Sequence, residues 1–227
     1  MNMKVLLPLA VILVFTACAS RPRPNDKFIV ELSSPRLPAG EIETQIDRAF
    51  PLIGLKKIIV DVSYYPYDDA VCLRYRSDFF NYYQFWSKAG REVFLSALEK
   101  YNVDYSARDL AAKNRKSKKT YGGTEGYLIW QMYSLTRRAQ ANMDMELGYA
   151  FKDNSPYYAV TQKLASYIDN INKENNMNSQ EITMYFTRAQ AQELATLFDQ
   201  DFLRGLVSPE MGGVRRVNEA DIDADSY

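Results

Sequence analysis

The 227-residue chain contains no histidine. That absence removes the imidazole from any Ser-His-Asp or Cys-His nucleophile pair and from any metal site. Cysteine is nearly missing as well, with Cys18 and Cys72 alone. Charge of either sign is not in excess: 28 Lys plus Arg meet 28 Asp plus Glu. No net field therefore draws the chain to nucleic acid or to a bilayer. No period of 20–50 residues recurs, which excludes solenoids and propellers. What is abundant is tyrosine, 17 residues, within a hydrophobic content of 47%. Such a content is ordinary for a globular domain. A domain near this size buries roughly 70–75% of the surface its unfolded chain exposes, so neither disulfide nor metal is needed for a core.

Residues 1–4 carry one lysine and no acid, and residues 5–17 (VLLPLAVILVFTA) carry no charge. A basic start and a short apolar run make a secretory signal peptide. The run is too short to span a bilayer, which takes roughly 20 apolar residues. It ends in Phe15-Thr16-Ala17-Cys18. That tetrapeptide resembles the lipobox of bacterial lipoproteins: a bulky apolar residue, two small ones, then the cysteine that becomes the new N-terminus. The resemblance covers this segment alone. It implies diacylation of the Cys18 thiol, removal of residues 1–17, and acylation of the new amine by a palmitate-type chain. Two chains on one residue make a stable anchor where one does not. The membrane, held through Cys18, is then the first partner, and the bacterial cell envelope the location. Ala19 stands where an Asp would resemble an inner-membrane retention signal, which favours the outer membrane. Residues 20–27 (SRPRPNDK) form a polar, Pro-containing tether of about 25 Å at ~3.1 Å per residue. With Cys18 lipidated, Cys72 has no partner in the chain. It sits in an apolar run and reads as a small buried hydrophobe.

The expected organisation is a signal peptide (1–17), a lipidated cysteine and tether (18–27), one α+β domain (28–207) and a disordered acidic tail (208–227). Residues 27–32 (KFIVEL) read as a first strand. Residues 41–50 place Ile42, Ile46, Ala49 and Phe50 on one helical face, which Pro51 stops. Residues 56–64 are β-branched and strand-like, and 70–76 form the returning strand. Val71, Leu73 and Tyr75 share one face of it, and Cys72, Arg74 and Arg76 the other. From Phe79 to Tyr101 the apolar positions step by three and four, which predicts a helix of about 23 residues lying across a sheet. Residues 113–119 hold five basic side chains in seven, the mark of a solvated loop or a charged edge strand. The Gly-rich stretch at 121–126 lacks the Lys-Ser/Thr ending of a phosphate loop and reads as a hairpin connection. Residues 127–135 are apolar and strand-like. Residues 141–151 alternate cleanly, with Met143, Met145, Leu147, Tyr149 and Phe151 on one face. For 157–171 the pattern fits strand or helix; a strand to about Leu164 follows from the short preceding turn. Residues 170–179 read as a loop and 181–186 as a strand. Residues 187–204 predict a helix with a Thr187/Gln190 capping box, ended by Gly205. The fold class expected is α+β: a mostly antiparallel sheet of about seven strands, with two main helices packed on one side.

Chemistry without histidine falls to carboxylates, Tyr, Lys or Ser. Asp144 and Glu146 share a strand face, their Cα atoms about 6.6 Å apart at ~3.3 Å per residue. That spacing suits the carboxylate pair of a glycosidase. It equally suits a solvated face or, were their strand a neighbour of Arg74 and Arg76, a cross-strand charge ladder. Tyr64, Tyr65, Tyr67, Asp68 and Asp69 gather at one hairpin tip and are the ligand-binding candidates, ring faces beside acceptors suited to a sugar or a peptide. Asp68 and Asp69 supply too few oxygens for calcium, and no cofactor or metal is implied. Three functions remain in view: a non-catalytic, lipid-anchored envelope protein that binds a partner protein or cell-wall glycan; a carboxylate-dependent hydrolase acting on glycan; and an outer-membrane assembly or structural factor with residues 113–119 near lipid. A nucleic-acid partner is not expected.

Overall fold

The computed structural model describes residues 28–47, 54–116, 119–132, 138–168 and 176–207. The signal peptide, Cys18, the tether and the segment from 208 onward lie outside them. Eight antiparallel strands close into a barrel in the order β1-β2-β3-β4-β5-β6-β7-β10. These are β1 (Leu37–Asp47), β2 (Leu55–Tyr65), β3 (Ala70–Ser77), β4 (Phe80–Trp86), β5 (Thr120–Met132), β6 (Arg138–Lys152), β7 (Ser155–Gln162) and β10 (Ile182–Phe186). The short strands β8 (Ser166–Tyr167) and β9 (Met177–Asn178) pair with each other. Helices α1 (Lys88–Ser106) and α2 (Leu110–Arg115) lie between β4 and β5. Helices α3 (Arg188–Phe198) and α4 (Gln200–Val207) follow β10. Because β4 and β10 end at the same mouth of the barrel, all four helices gather there.

The expected open sheet of about seven strands is thus corrected to a closed barrel, and the two helices on one side to four short helices over one mouth. The missing strand is β1, which had read as a helix. Ile42 and Ile46 are four apart and satisfy a helical period, but Ile42, Thr44 and Ile46 also alternate, and all three are buried. Pairing on both sides, with β2 and β10, decides the matter in favour of period two.

The 79–101 helix is corrected in the same way. Its first part is β4, where Tyr82, Gln84 and Trp86 turn inward at period two. The helix starts only at Ser87, whose hydroxyl accepts the Gly90 N–H at 3.1 Å. From there Phe94, Ala97, Leu98, Tyr101 and Tyr105 do step along one buried face. The helix at 187–204 is broken in two at Asp199. This residue is extended (φ −64°, ψ 133°), and its carboxylate accepts from the N–H groups of Asp201 and Phe202, capping a second helix. Gly205 lies inside α4 rather than ending it. The Thr187/Gln190 capping box is present in full. Residues 28–31 are not a strand; the segment from 28 to 32 runs over the outer wall, where Val30 joins Tyr65, Ala70, Cys72, Phe85, Tyr127 and Ile129. The Gly-rich stretch is part of β5, bulged between Thr120 and Gly122. A side chain at the facing Gly148 would collide with the Lys119 carbonyl. Between β6 and β7, Asp153 and Asn154 both take positive φ (48° and 65°), as a tight type I′ hairpin requires.

Alternation fills the barrel. Trp86, Trp130, Tyr75, Tyr82 and Tyr158 are each at most 2% exposed and point into one core. Helix α1 seals the mouth with Phe94, whose ring meets those of Trp86, Tyr158 and Phe198 at 4.9–5.8 Å. Several of the polar atoms inside bind one another, though Trp130 Nε1 has no hydrogen-bond partner among the described residues. Tyr75 Oη donates to Gln162 Oε1 at 2.6 Å, and Gln84 Nε2 donates to the same oxygen at 3.4 Å. Trp86 Nε1 donates to Gln84 Oε1 at 3.0 Å, and Gln162 Nε2 to the Gln180 carbonyl at 3.1 Å. Gln162 is therefore the common acceptor of this interior thread. Gln162→Leu keeps the volume but strands two buried donors, each costing about 1–3 kcal/mol. Urea unfolding of this variant is expected to show a stability loss of that order with an unchanged m-value.

Candidate functional site

The hairpin tip that carries the sequence's ligand-binding candidates is a structural tie. Arg91 of α1, 1% exposed, reaches into it. Its Nη1 donates to the Asp69 carbonyl at 2.7 Å, and its Nη2 to Asp69 Oδ1 at 2.8 Å. The same Nη2 donates to Gln200 Oε1 at 2.7 Å. Tyr64 Oη and Gln200 Nε2 both donate to Asp69 Oδ1, at 3.1 and 3.3 Å. Asp69 adopts φ 44°, the left-handed turn that aims both its carbonyl and its carboxylate at the guanidinium. One residue thus joins the β2–β3 hairpin, α1 and the start of α4. Tyr64 and Tyr65 are buried, and the Tyr65 hydroxyl accepts from Arg36 at 3.4 Å. Asp68 Oδ2 is buried with no hydrogen-bond partner among the described residues. Tyr67 alone stands out, 83% exposed. The structure therefore keeps these five side chains close together but commits three of them, Tyr64, Tyr65 and Asp69, to internal contacts.

The carboxylate pair fares differently. Asp144 and Glu146 sit exposed on the outer wall of β6, and Glu146 forms an ion pair with Lys163 at 3.1 Å. The strand bearing Arg74 and Arg76 is not their neighbour, since β4 and β5 intervene. Arg74 instead pairs with Asp61 at 2.7 Å. The charge ladder across β3 and β6 is thereby corrected. Cys72 is buried on the outer wall beneath the 28–32 segment, and burial pushes its thiol well above the ordinary range. Among the described residues, no cluster of three Cys, Asp or Glu side chains could hold a metal ion. Nor is any described helix long and apolar enough to cross a membrane.

Concavity lies on the helical cap. A groove of about 710 Å³ runs between α1 and α3. Leu95, Leu98, Val103, Ala107 and Ala195 give it apolar walls, and Asn102, Ser106, Gln192 and Glu99 a polar rim. Its ends are set by the helix crossing: Arg188 Nε donates to Asn102 Oδ1 at 3.2 Å, and the Arg188 guanidinium lies 5.0 Å from the Tyr105 ring centre. Across the Glu99–Val103 ridge lies a second hollow of about 430 Å³, lined by Lys100, Asp104, Lys113 and Tyr121. There Asp104 accepts from Tyr121 Oη at 2.8 Å and from Lys113 Nζ. Burial, reinforced by Asp104, pushes the Tyr121 phenol far above its usual range, so it stays a donor at neutral pH.

The groove residues carry no mark in the sequence. Glu99, Asn102, Val103 and Ser106 stand on the polar side of α1, and the opposite wall comes from a helix 90 residues further along. Only the antiparallel packing of α1 and α3 brings them together.

The model of a bacterial family described as "Uncharacterised Treponema protein" matches residues 36–205. The chain belongs to that family. The matched span runs from the residue before β1 into α4, so it takes in the barrel and its helical cap. No curated protein matches the chain, and no solved structure does.

The tie at Arg91 yields a directional expectation. Asp69→Ala leaves a buried guanidinium without its counter-charge, whereas Arg91→Met leaves a carboxylate that solvent can still reach. The first is expected to cost about 3 kcal/mol and the second less. Burial raises the Asp69 pKa, but Arg91, Gln200 and Tyr64 together outweigh it and hold the carboxyl below its ordinary value. A lowered folded-state pKa contributes stability that is complete above pH ~4 and fades as pH falls through the folded value. Denaturant midpoints measured from pH 6 to pH 2 should therefore fall less steeply in Asp69→Asn than in the wild type.

Proposed function

We propose that the mature protein is a lipid-anchored envelope protein that acts by non-catalytic binding, taking an apolar segment of a partner protein into the α1–α3 groove. The filled barrel carries this reading. Side chains occupy the space in which barrels of this strand number hold small ligands, so recognition falls to the outside. The groove offers apolar walls with a rim of two amides, one hydroxyl and the Glu99 carboxylate, the surface that suits an amphipathic peptide. A glycan would need ring faces to lie against, and no aromatic side chain lines this groove. The anchor rests on the uncharged run at 5–17 and on Phe15-Thr16-Ala17-Cys18. The outer membrane follows from Ala19 by the same resemblance. The carboxylate-hydrolase reading loses its motive, because Asp144 and Glu146 stand on a convex wall with Glu146 already paired.

Selection of a displayed random-peptide library on the full mature chain is expected to enrich sequences with apolar residues three and four apart. Their binding should fall at least tenfold in Val103→Arg, a groove-wall residue exposed enough (63%) to leave the melting temperature unchanged. Enrichment that survives Val103→Arg, or binding confined to a glycan array, would contradict the groove assignment. For the anchor, Cys18→Ala is expected to move the protein from the membrane pellet to the soluble fraction. An unacylated residue 18 in the native protein, read by mass spectrometry, would contradict it.

A further inference from the structure

The basic run at 113–119 remains unexplained by the groove. Its described residues are the end of α2 (through Arg115), Lys116 and Lys119 just before β5, a corner on the far side of the α1 ridge from the groove. Arg108, Arg115, Lys116 and Lys119 are all exposed there. Among the described residues none of these four has a carboxylate within ion-pair distance. By contrast Lys57, Arg74, Lys152 and Lys163 elsewhere on the wall are each paired with an acid. Lys56, Lys88 and Arg138 also lack an acid partner among the described residues, but they lie elsewhere, whereas Arg108, Arg115, Lys116 and Lys119 fall within twelve residues of one another.

The position of that corner matters. The 28–32 segment lies on the outer wall, against Tyr127 and Ile129 of β5. Lys119 immediately precedes the first residue of the same strand. Eight residues along β5 separate Lys119 from Tyr127, about 26 Å at ~3.3 Å per residue. Cys18 is ten residues before Phe28, a reach of at most about 35 Å. A bilayer holding acylated Cys18 is therefore within range of the corner. The hollow beside it balances its own charge, Lys100 and Lys113 against Glu99 and Asp104, so the positive field of the corner comes from Arg108, Arg115, Lys116 and Lys119.

We infer that the α2–β5 corner is a docking surface for anionic phospholipid, which turns the tethered barrel so that this corner meets the bilayer and the α1–α3 groove faces away from it. The inference rests on the anchored reading for its setting, though the surface itself is separable from the anchor. A lysine or arginine near an anionic bilayer strengthens binding roughly fivefold, and the effect is screened within about 10 Å at 0.1 M salt.

The test uses the full mature chain with Cys18→Ser, so that no acyl chain contributes, in co-sedimentation with vesicles. Binding is expected to phosphatidylglycerol vesicles at low salt, to fall steeply by 0.5 M salt, and to be absent with phosphatidylcholine. Arg115→Gln, Lys116→Gln and Lys119→Gln together should weaken it about a hundredfold, with an unchanged melting temperature. Lys56→Gln with Arg138→Gln, at the opposite mouth, should leave it intact. Equal affinity for both vesicle types, no binding to phosphatidylglycerol at low salt, or preference for a soluble anionic polysaccharide would overturn the docking surface. A native protein lacking acylation at Cys18 would overturn the anchor while leaving the vesicle result to stand.

Discussion

Closure of the barrel depends on its narrowest ladder. β1 meets β10 through only two register pairs, Gln45 with Tyr185 and Ile46 with Met184, whereas β1 and β2 run together over ten. Side chains reinforce the short seam. Thr44 Oγ1 donates to the Tyr185 carbonyl at 2.9 Å, and Tyr185 Oη donates to Asp47 at 2.6 Å. Lys152 lies over the Tyr185 ring at 4.4 Å and reaches Asp47 at 2.7 Å, fastening the β6–β7 hairpin to the same place. Without this seam two edges would be open, each with a row of unpaired backbone groups. The helical cap hangs on it too, because α3 follows directly from β10 and packs back on β1, where Leu197 approaches Gly40.

A closed and filled barrel leaves little room for internal chemistry. Its polar thread through Tyr75, Gln162, Gln84 and Trp86 is satisfied within itself, which makes it part of the packing. What can change from one family member to another at low cost is the outside: the cap groove, the neighbouring hollow and the basic corner. The Arg91–Asp69 tie fixes the cap at its other end. Groove and corner are thus held at a set angle on opposite sides of α1, an arrangement suited to a protein that faces two surfaces at once.

Much of the barrel could be read in the residues. The strands at 56–64, 70–76, 141–151 and 181–186 announce themselves by β-branched content or by strict alternation, and the inward faces of β3 and β6 follow from it. The failures share one physical origin. Ile42 and Ile46, like Tyr82 and Trp86, are spaced by four, an interval common to a helix turn and to two strand steps. Only the intermediate residues, Thr44 and Gln84, distinguish the two, and both are polar, so their burial has no hydrophobic signature. They are buried because the fold supplies partners: the Tyr185 carbonyl for one, Trp86 and Gln162 for the other. The hairpin cluster at 64–69 was visible as a cluster. That Arg91 consumes it was not, since the contact spans 22 residues and needs the left-handed Asp69. Closure cannot be inferred from any local pattern, because it concerns strands separated by more than 130 residues.

Backbone amide exchange and cross-strand NOEs at β1 bear most directly on this architecture. The closed barrel predicts that one β1 amide facing β10, among Gln45 and its neighbours, exchanges as slowly as the Val60 and Leu147 amides, with a contact between the Gln45 and Tyr185 backbones. Rapid exchange along the β10-facing side of β1, without that contact, would mean an open sheet with a free edge and would contradict the account.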